Sequence, residues 1–240
     1  MQNKRNKRVK YLTACLSLMV TSAWANEDLR ACLADTEMNP GNRFTHEVIN
    51  TDAGDYKVVN DAATDLQWSY CFIGQTLSSD QMSCEGVPTV AMDLFPERKF
   101  YPNVREKTLE IVEAENQRLG ESNHLWHLPN MKDLLTIYNE RCVPATYPMF
   151  SYNIDLTTEE IIALKDTEFD WDWPENEKAI ASEKRFRGQA YHSLRVSTDS
   201  NLLGDYLFFY TVSFNGHSSP LRAHSNNYSM MRLVRKKPQQ

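Results

Sequence analysis

The chain has 240 residues, with 26 Lys or Arg against 32 Asp or Glu. Its first ten residues hold Lys4, Arg5, Lys7, Arg8 and Lys10 and no acid, and removal of a leader leaves 21 basic against 32 acidic residues, a net charge of about −11. So acidic a domain does not bind nucleic acid or sulphated polymers through its overall field.

The start reads as an export signal: a basic region, an apolar run from Tyr11 to Thr21, and the small-residue triplet Ala23-Trp24-Ala25. The run is shorter than the roughly 20 apolar residues of a membrane-spanning helix, and no stop-transfer segment follows. Leu12-Thr13-Ala14-Cys15 resembles a lipoprotein box, but almost no apolar core precedes Cys15, so Asn26 is the expected mature start. The destination is the periplasm, the cell surface or the medium. Cys15 leaves with the leader, and Cys32, Cys71, Cys84 and Cys142 remain, an even number for an oxidising compartment with three possible connectivities. No close Cys or Cys/His pairs suggest zinc.

About 215 mature residues suit one domain with a sizeable core. Residues 26–55 are polar and turn-rich, with a turn at Asn39-Pro40-Gly41-Asn42, and read as an irregular segment tied to the domain over 56–236. Short strands are expected at Tyr56–Val59 and Leu66–Phe72, and a disulfide could close the loop between Cys71 and Cys84. A helix is expected from Val104 to Leu119, with Leu109, Val112 and Leu119 on one face and Gly120 ending it. Asn130 caps a second helix, with Asp133 three residues on and Met131, Leu134, Leu135 and Tyr138 facing inward. A third begins at Thr157, where Thr157 and Glu160 make a capping box. The last third reads as strands at Tyr191–Val196, Tyr206–Phe214 and Ser229–Val234, with a hairpin turn at Asn215-Gly216. The sum is a compact α+β domain with two or three helices and a mostly antiparallel sheet, stapled by disulfides.

Between the third helix and the late strands, Asp166, Glu168, Asp170 and Asp172 alternate with Thr167, Phe169, Trp171 and Trp173. In an extended segment this spacing sets carboxylates on one face and rings on the other, offering oxygen ligands for Ca²⁺ and flat surfaces for sugar rings. The segment lacks the glycine and spaced glutamate of an EF-hand. The six histidines show no ligand spacing and read as ordinary surface or core residues. Two basic clusters stand out: Lys184, Arg185 and Arg187, then Arg232, Arg235, Lys236 and Lys237, the latter read as a solvated end.

Several motifs occur in an order that resembles the Lcl C-terminal domain family of bacterial exported proteins. They are Cys32 before Arg43-Phe44, Asp61-Ala62-Ala63-Thr64-Asp65-Leu66-Gln67-Trp68, and Cys71, Gly74-Gln75 and Cys84 with Gly86. Then come Trp126-His127-Leu128-Pro129-Asn130, Cys142 with Pro144-Ala145, and Asn226-Asn227-Tyr228-Ser229 through Arg235. His127 stands where the family has Arg, Asp65 where it has Gly, Tyr191-His192-Ser193-Leu194 departs from Tyr-Trp-Ser-Ser, and residues 155–184 look like an insertion. The resemblance implies a C-type-lectin-like layout and an adhesion role, since the namesake domain binds sulphated polysaccharide.

The expected function is therefore a non-enzymatic exported binding module recognising a surface polysaccharide or an envelope protein. It would need no cofactor, with Ca²⁺ optional, and no transmembrane segment. Asp166, Glu168, Asp170, Trp171, Asp172 and Trp173 form the expected ligand surface. The alternatives are an accessory protein of a pilus or secretion system and, behind it, an enzyme of the formylglycine-generating kind. The expected disulfides are Cys71–Cys84, closing the short loop, and by exclusion Cys32–Cys142.

The leader reading has a direct check. Intact-mass measurement on the exported protein should show a chain starting at Asn26; a lipid-modified chain starting at Cys15 would overturn it.

Overall fold

The computed structural model describes residues 31–90, 104–122, 125–201, 209–215, 221–223 and 229–238. The leader, the Asn215-Gly216 hairpin and the Asn226–Tyr228 motif therefore lie wholly or partly outside the described residues. In chain order the first strands are Ala31–Cys32 (β1), Phe44–Thr51 (β2), Gly54–Asp61 (β3), Leu66–Ser69 (β4), Thr76–Leu77 (β5) and Cys84–Glu85 (β6). Helices Val104–Arg118 (α1) and Met131–Thr136 (α2) precede strand Cys142–Val143 (β7), and helices Thr158–Lys165 (α3) and Glu175–His192 (α4) follow. Strands Arg195–Asn201 (β8), Phe209–Ser213 (β9), Leu221–Ala223 (β10) and Val234–Lys236 (β11) end the domain. The fold is α+β, with antiparallel sheets ordered β11-β4-β3-β2 and β10-β9-β8, and two-stranded ribbons β1-β7 and β5-β6. No described helix is long and apolar enough to cross a membrane.

Both disulfides, Cys71–Cys84 and Cys32–Cys142, are formed. Cys32 and Cys142 are also register partners in the β1–β7 ribbon, so the bond fastens the start of the described chain to the segment after α2. The expected caps of α2 and α3 are present: Asn130 with Asp133, and Thr157 with Glu160, each bond reciprocally.

Several readings need correction. Residues 26–55 contain β2, paired with β3 along its whole length; its polar alternation is that of an edge strand with one solvated face. The described residues hold four helices, α4 being the extra one. It runs through Lys184, where the insertion was expected to end, and through Tyr191-His192, where a strand was expected. In α1 the buried stripe is Thr108, Ile111, Val112, Glu115, Asn116 and Leu119, while Leu109 is exposed. Asn116 earns its buried place by clamping Trp126, accepting from its backbone N–H (2.7 Å) and donating to its carbonyl (2.9 Å). In α2 Leu134 and Ile137 are buried, whereas Leu135 is exposed.

The last correction concerns the basic end. Arg232 is fully buried and Arg235 nearly so, so neither belongs to a solvated tail. Residues 229–234 are all buried, and they alternate between two cores. Met230 and Val234 pack with Phe44, Val59, Trp68, Phe150 and Val212; Met231 and Leu233 pack with Val58, Trp126, Leu128 and α1. The same segment hydrogen-bonds to both large sheets, through Arg195 and Ser197 on one side and Ser69 and Ile73 on the other. Arg232 faces the first core. Its guanidinium donates to the carbonyls of Ser69 (2.8 Å), Tyr70 (2.6 Å) and Ser151, and lies 4.2 Å from the Phe72 ring and 4.8 Å from the Tyr152 ring.

Asp61 fixes the turn after β3. Burial disfavours its charge, but bonds from Arg43 (2.6 and 2.5 Å), Thr64 and the Ala63 N–H outweigh that and hold its carboxyl below the ordinary carboxylate range. The turn puts Asp65 at φ 57°, a left-handed conformation in which a glycine costs least.

Replacing Arg232 by Met keeps the stem and removes the donors. Three buried carbonyls then lose a partner, and denaturant titration should show a loss on the order of 3 kcal/mol or more. A variant as stable as the parent would mean that the guanidinium does not hold the closing segment.

Candidate functional site

The acidic-aromatic segment lies between α3 and α4, and its alternation holds only in part. Asp166, Glu168 and Asp170 are exposed while Thr167 and Phe169 are half-buried, as a period of two requires. At Asp170 the chain turns: its carboxylate accepts from the Asp172 N–H (2.9 Å) and its carbonyl from the Trp173 N–H. Beyond the turn, Trp171 and Asp172 both face solvent and Trp173 is half-buried. Asp166 closes α3 as its C-terminal cap, beside Lys165 at 3.8 Å. Among the described residues, no three His, Cys, Asp or Glu side chains are grouped to hold a metal ion, so the four carboxylates do not converge.

Trp171 is 80% exposed, the most exposed of the large apolar side chains described. Its ring meets Phe169 edge-on at 5.1 Å, and the pair forms one wall of a groove of about 550 Å³. The opposite wall is one face of α4, where Lys178, Ser182, Arg185 and Gln189 recur at helical spacing beside Phe186. The groove falls within the roughly 300–1,000 Å³ usual for small-ligand sites. Lys178 is 2.6 Å from Glu175 and donates to the Trp171 carbonyl (3.3 Å), tying the turn to the helix. The Arg185 guanidinium lies 5.8 Å from the Phe169 ring centroid.

Gly188 makes this arrangement fit. A Cβ there would stand 2.2 Å from the Lys165 backbone nitrogen and 2.7 Å from the Leu164 carbonyl carbon. The end of α3 therefore lies directly on α4. From there α4 enters the core through Ala190 and Tyr191, whose hydroxyl donates to the Pro88 carbonyl (2.8 Å).

The Trp171 wall was legible in the sequence, whereas the wall from α4 was not. The signals for it were Pro174 followed by Glu175 and Glu177, the acids of a first helical turn, and an Ala-, Glu- and Lys-rich run after them. Among the described residues the histidines join no cluster that could hold a metal ion. His46 meets the Met149 carbonyl (2.7 Å), His127 that of Leu128 (2.9 Å), His192 ends α4, and His124, His217 and His224 lie outside the described residues.

A second cavity, of about 290 Å³, opens between β3 and the disulfide loop. Lys57 reaches it, donating to the Gln81 carbonyl (2.7 Å) and lying 4.1 Å from the Tyr70 ring, and burial lowers its pKa. Arg118 at its rim is held by a two-point bond to Glu115. Both of its cations already have hydrogen-bond partners, so the groove is the stronger candidate. No protein-family model, characterised protein or solved structure matches the chain.

Gly188→Ala tests the packing behind the groove. Helix propensity favours alanine by about 1 kcal/mol, but overpacking against backbone costs about 1–3 kcal/mol. Hydrogen exchange should speed up in α3 and in residues 166–173 while β2 to β4 stay protected. A variant that is stabilised with unchanged exchange would refute the close α3–α4 contact.

Proposed function

We propose that this protein is an exported, disulfide-stapled binding module that recognises a surface polysaccharide through the groove between residues 169–171 and α4. The observation that carries the reading is Trp171: a tryptophan left 80% exposed beside Phe169 at the edge of a concave surface. An exposed ring at a groove is the usual platform for the apolar face of a sugar, and exposed apolar surface of this kind marks interaction sites. The ordered motifs resembling the Lcl C-terminal domain family support the same reading, together with the C-type-lectin-like layout and adhesion role they imply. Ca²⁺ is optional in this scheme, as Asp166, Glu168, Asp170 and Asp172 are exposed but dispersed around the turn.

A second reading, an envelope-protein partner as in a pilus or secretion system, is favoured by Ile162 and Ile180, exposed on α3 and α4. The formylglycine-type enzyme has less support. The four cysteines outside the leader are all in disulfides, so none offers a thiol.

Trp171→Ala and Trp173→Ala, made separately in the mature chain, should behave differently. On a glycan array with and without Ca²⁺, the first should lose binding at an unchanged melting temperature, and the second should lower the melting temperature by a few degrees. Glycan binding indifferent to Trp171 would reject the groove. Capture of one envelope protein, lost on substituting Ile162 or Ile180, would favour the second reading.

A further inference from the structure

Building on the groove reading, we propose that its ligand is a sugar bearing one carboxylate per ring, a uronate-type residue, whose carboxylate is held by Arg185 while Trp171 stacks on its face.

The cations around the groove are not equivalent. Lys178 is engaged by Glu175 at 2.6 Å and by the Trp171 carbonyl. Arg187 is bound to Glu183 at 2.7 Å. Arg185 is half-buried, lies 5.8 Å from the Phe169 ring, and has no carboxylate partner among the described residues. A guanidinium presents a planar fork that matches a carboxylate at two points, and partial burial strengthens that bond. Ser182 and Gln189 flank Arg185 on the same face of α4; the Ser182 hydroxyl donates to the Lys178 carbonyl (2.9 Å) and keeps its oxygen as an acceptor, while Gln189 brings an amide suited to sugar hydroxyls. The site thus has one uncompensated positive charge between neutral polar groups and an exposed ring.

The surroundings limit how much negative charge the ligand can bring. The mature chain carries a net charge of about −11, and Asp166, Glu168, Asp170 and Asp172 are exposed along the segment that leads into the groove. A densely sulphated chain meets repulsion there, while a neutral sugar leaves Arg185 without a counter-charge. One carboxylate per ring satisfies both conditions.

The test uses the mature chain and isothermal titration with trimers of galacturonate, glucuronate and mannuronate, their carboxyl-reduced neutral forms, and a polysulphated trimer. At least one uronate trimer should bind about tenfold or more tightly than its neutral form, a difference of about 1.4 kcal/mol. Arg185→Gln should erase that preference, Trp171→Ala should weaken both forms, and Lys184→Gln should change neither. Equal binding of charged and neutral trimers, tightest binding of the polysulphated trimer, or a preference that survives Arg185→Gln would overturn the carboxylate inference and leave the groove reading standing. Binding of no trimer, or binding insensitive to both Trp171 and Arg185, would overturn the two together.

Discussion

A guanidinium sealed from water in an aromatic core is costly unless its donors are met, and both terminal nitrogens of Arg232 donate to backbone carbonyls. The carbonyls of Ser69, Tyr70 and Ser151 converge on it from β4 and from the segment before α3, and the rings of Phe72, Phe150 and Tyr152 surround its plane. Because those acceptors belong to distant parts of the chain, the side chain works as a cross-link. It also sets register. Residues 229–234 send alternate side chains into two different cores, so a slip of one position would put Met231 or Leu233 among the carbonyls and Arg232 against α1. The closing segment bonds to both large sheets, so its register constrains how those sheets meet.

Arg235 repeats the device on the opposite face of the same segment. It lies 4.3 Å from the Trp126 ring, donates to Gln67 (2.8 Å) and pairs with Glu121 (2.5 Å). Trp126 is in turn fixed by Asn116 of α1. The motif Trp126-His127-Leu128-Pro129-Asn130 is thereby explained residue by residue: Trp126 and Leu128 fill the second core, His127 pairs with Val234 in a bridge and points outward, and Asn130 starts α2. These are fold determinants, and they lie away from the groove.

What could be read from sequence divides along a physical line. Side chains that act on their own backbone neighbours announce themselves, so the caps at Asn130 and Thr157 and the short loop closed by Cys71–Cys84 were all legible. Side chains whose role depends on distant partners did not. Arg232 and Arg235 look like a solvated end until the acceptors of residues 67–70, 121 and 151 surround them. α1 hides its stripe because Thr108, Glu115 and Asn116 occupy buried positions that periodicity assigns to apolar residues. α4 hides because its buried residues, Ala181, Gly188, Ala190 and Tyr191, are mostly small and its other positions mostly polar. The alternation of residues 166–173 was visible, but the turn at Asp170 that throws Trp171 outward depends on a side-chain bond that alternation does not encode.

α4 contributes both to the core and to the groove. Its C-terminal half carries Gly188 against α3, then Ala190 and Tyr191 in the core, with the Tyr191 hydroxyl on Pro88. Its N-terminal half buries Ala181 and otherwise shows half-buried or exposed side chains, several of which line the groove. A rigid anchor at one end and a polar wall toward the other is how a site is held still without spending core residues on it. The wall can therefore change chemically while the anchor stays, because Ser182 and Arg185 belong to neither core cluster. Gly188 lets the end of α3 lie flush on α4, and the chain runs from that contact into Phe169 and Trp171.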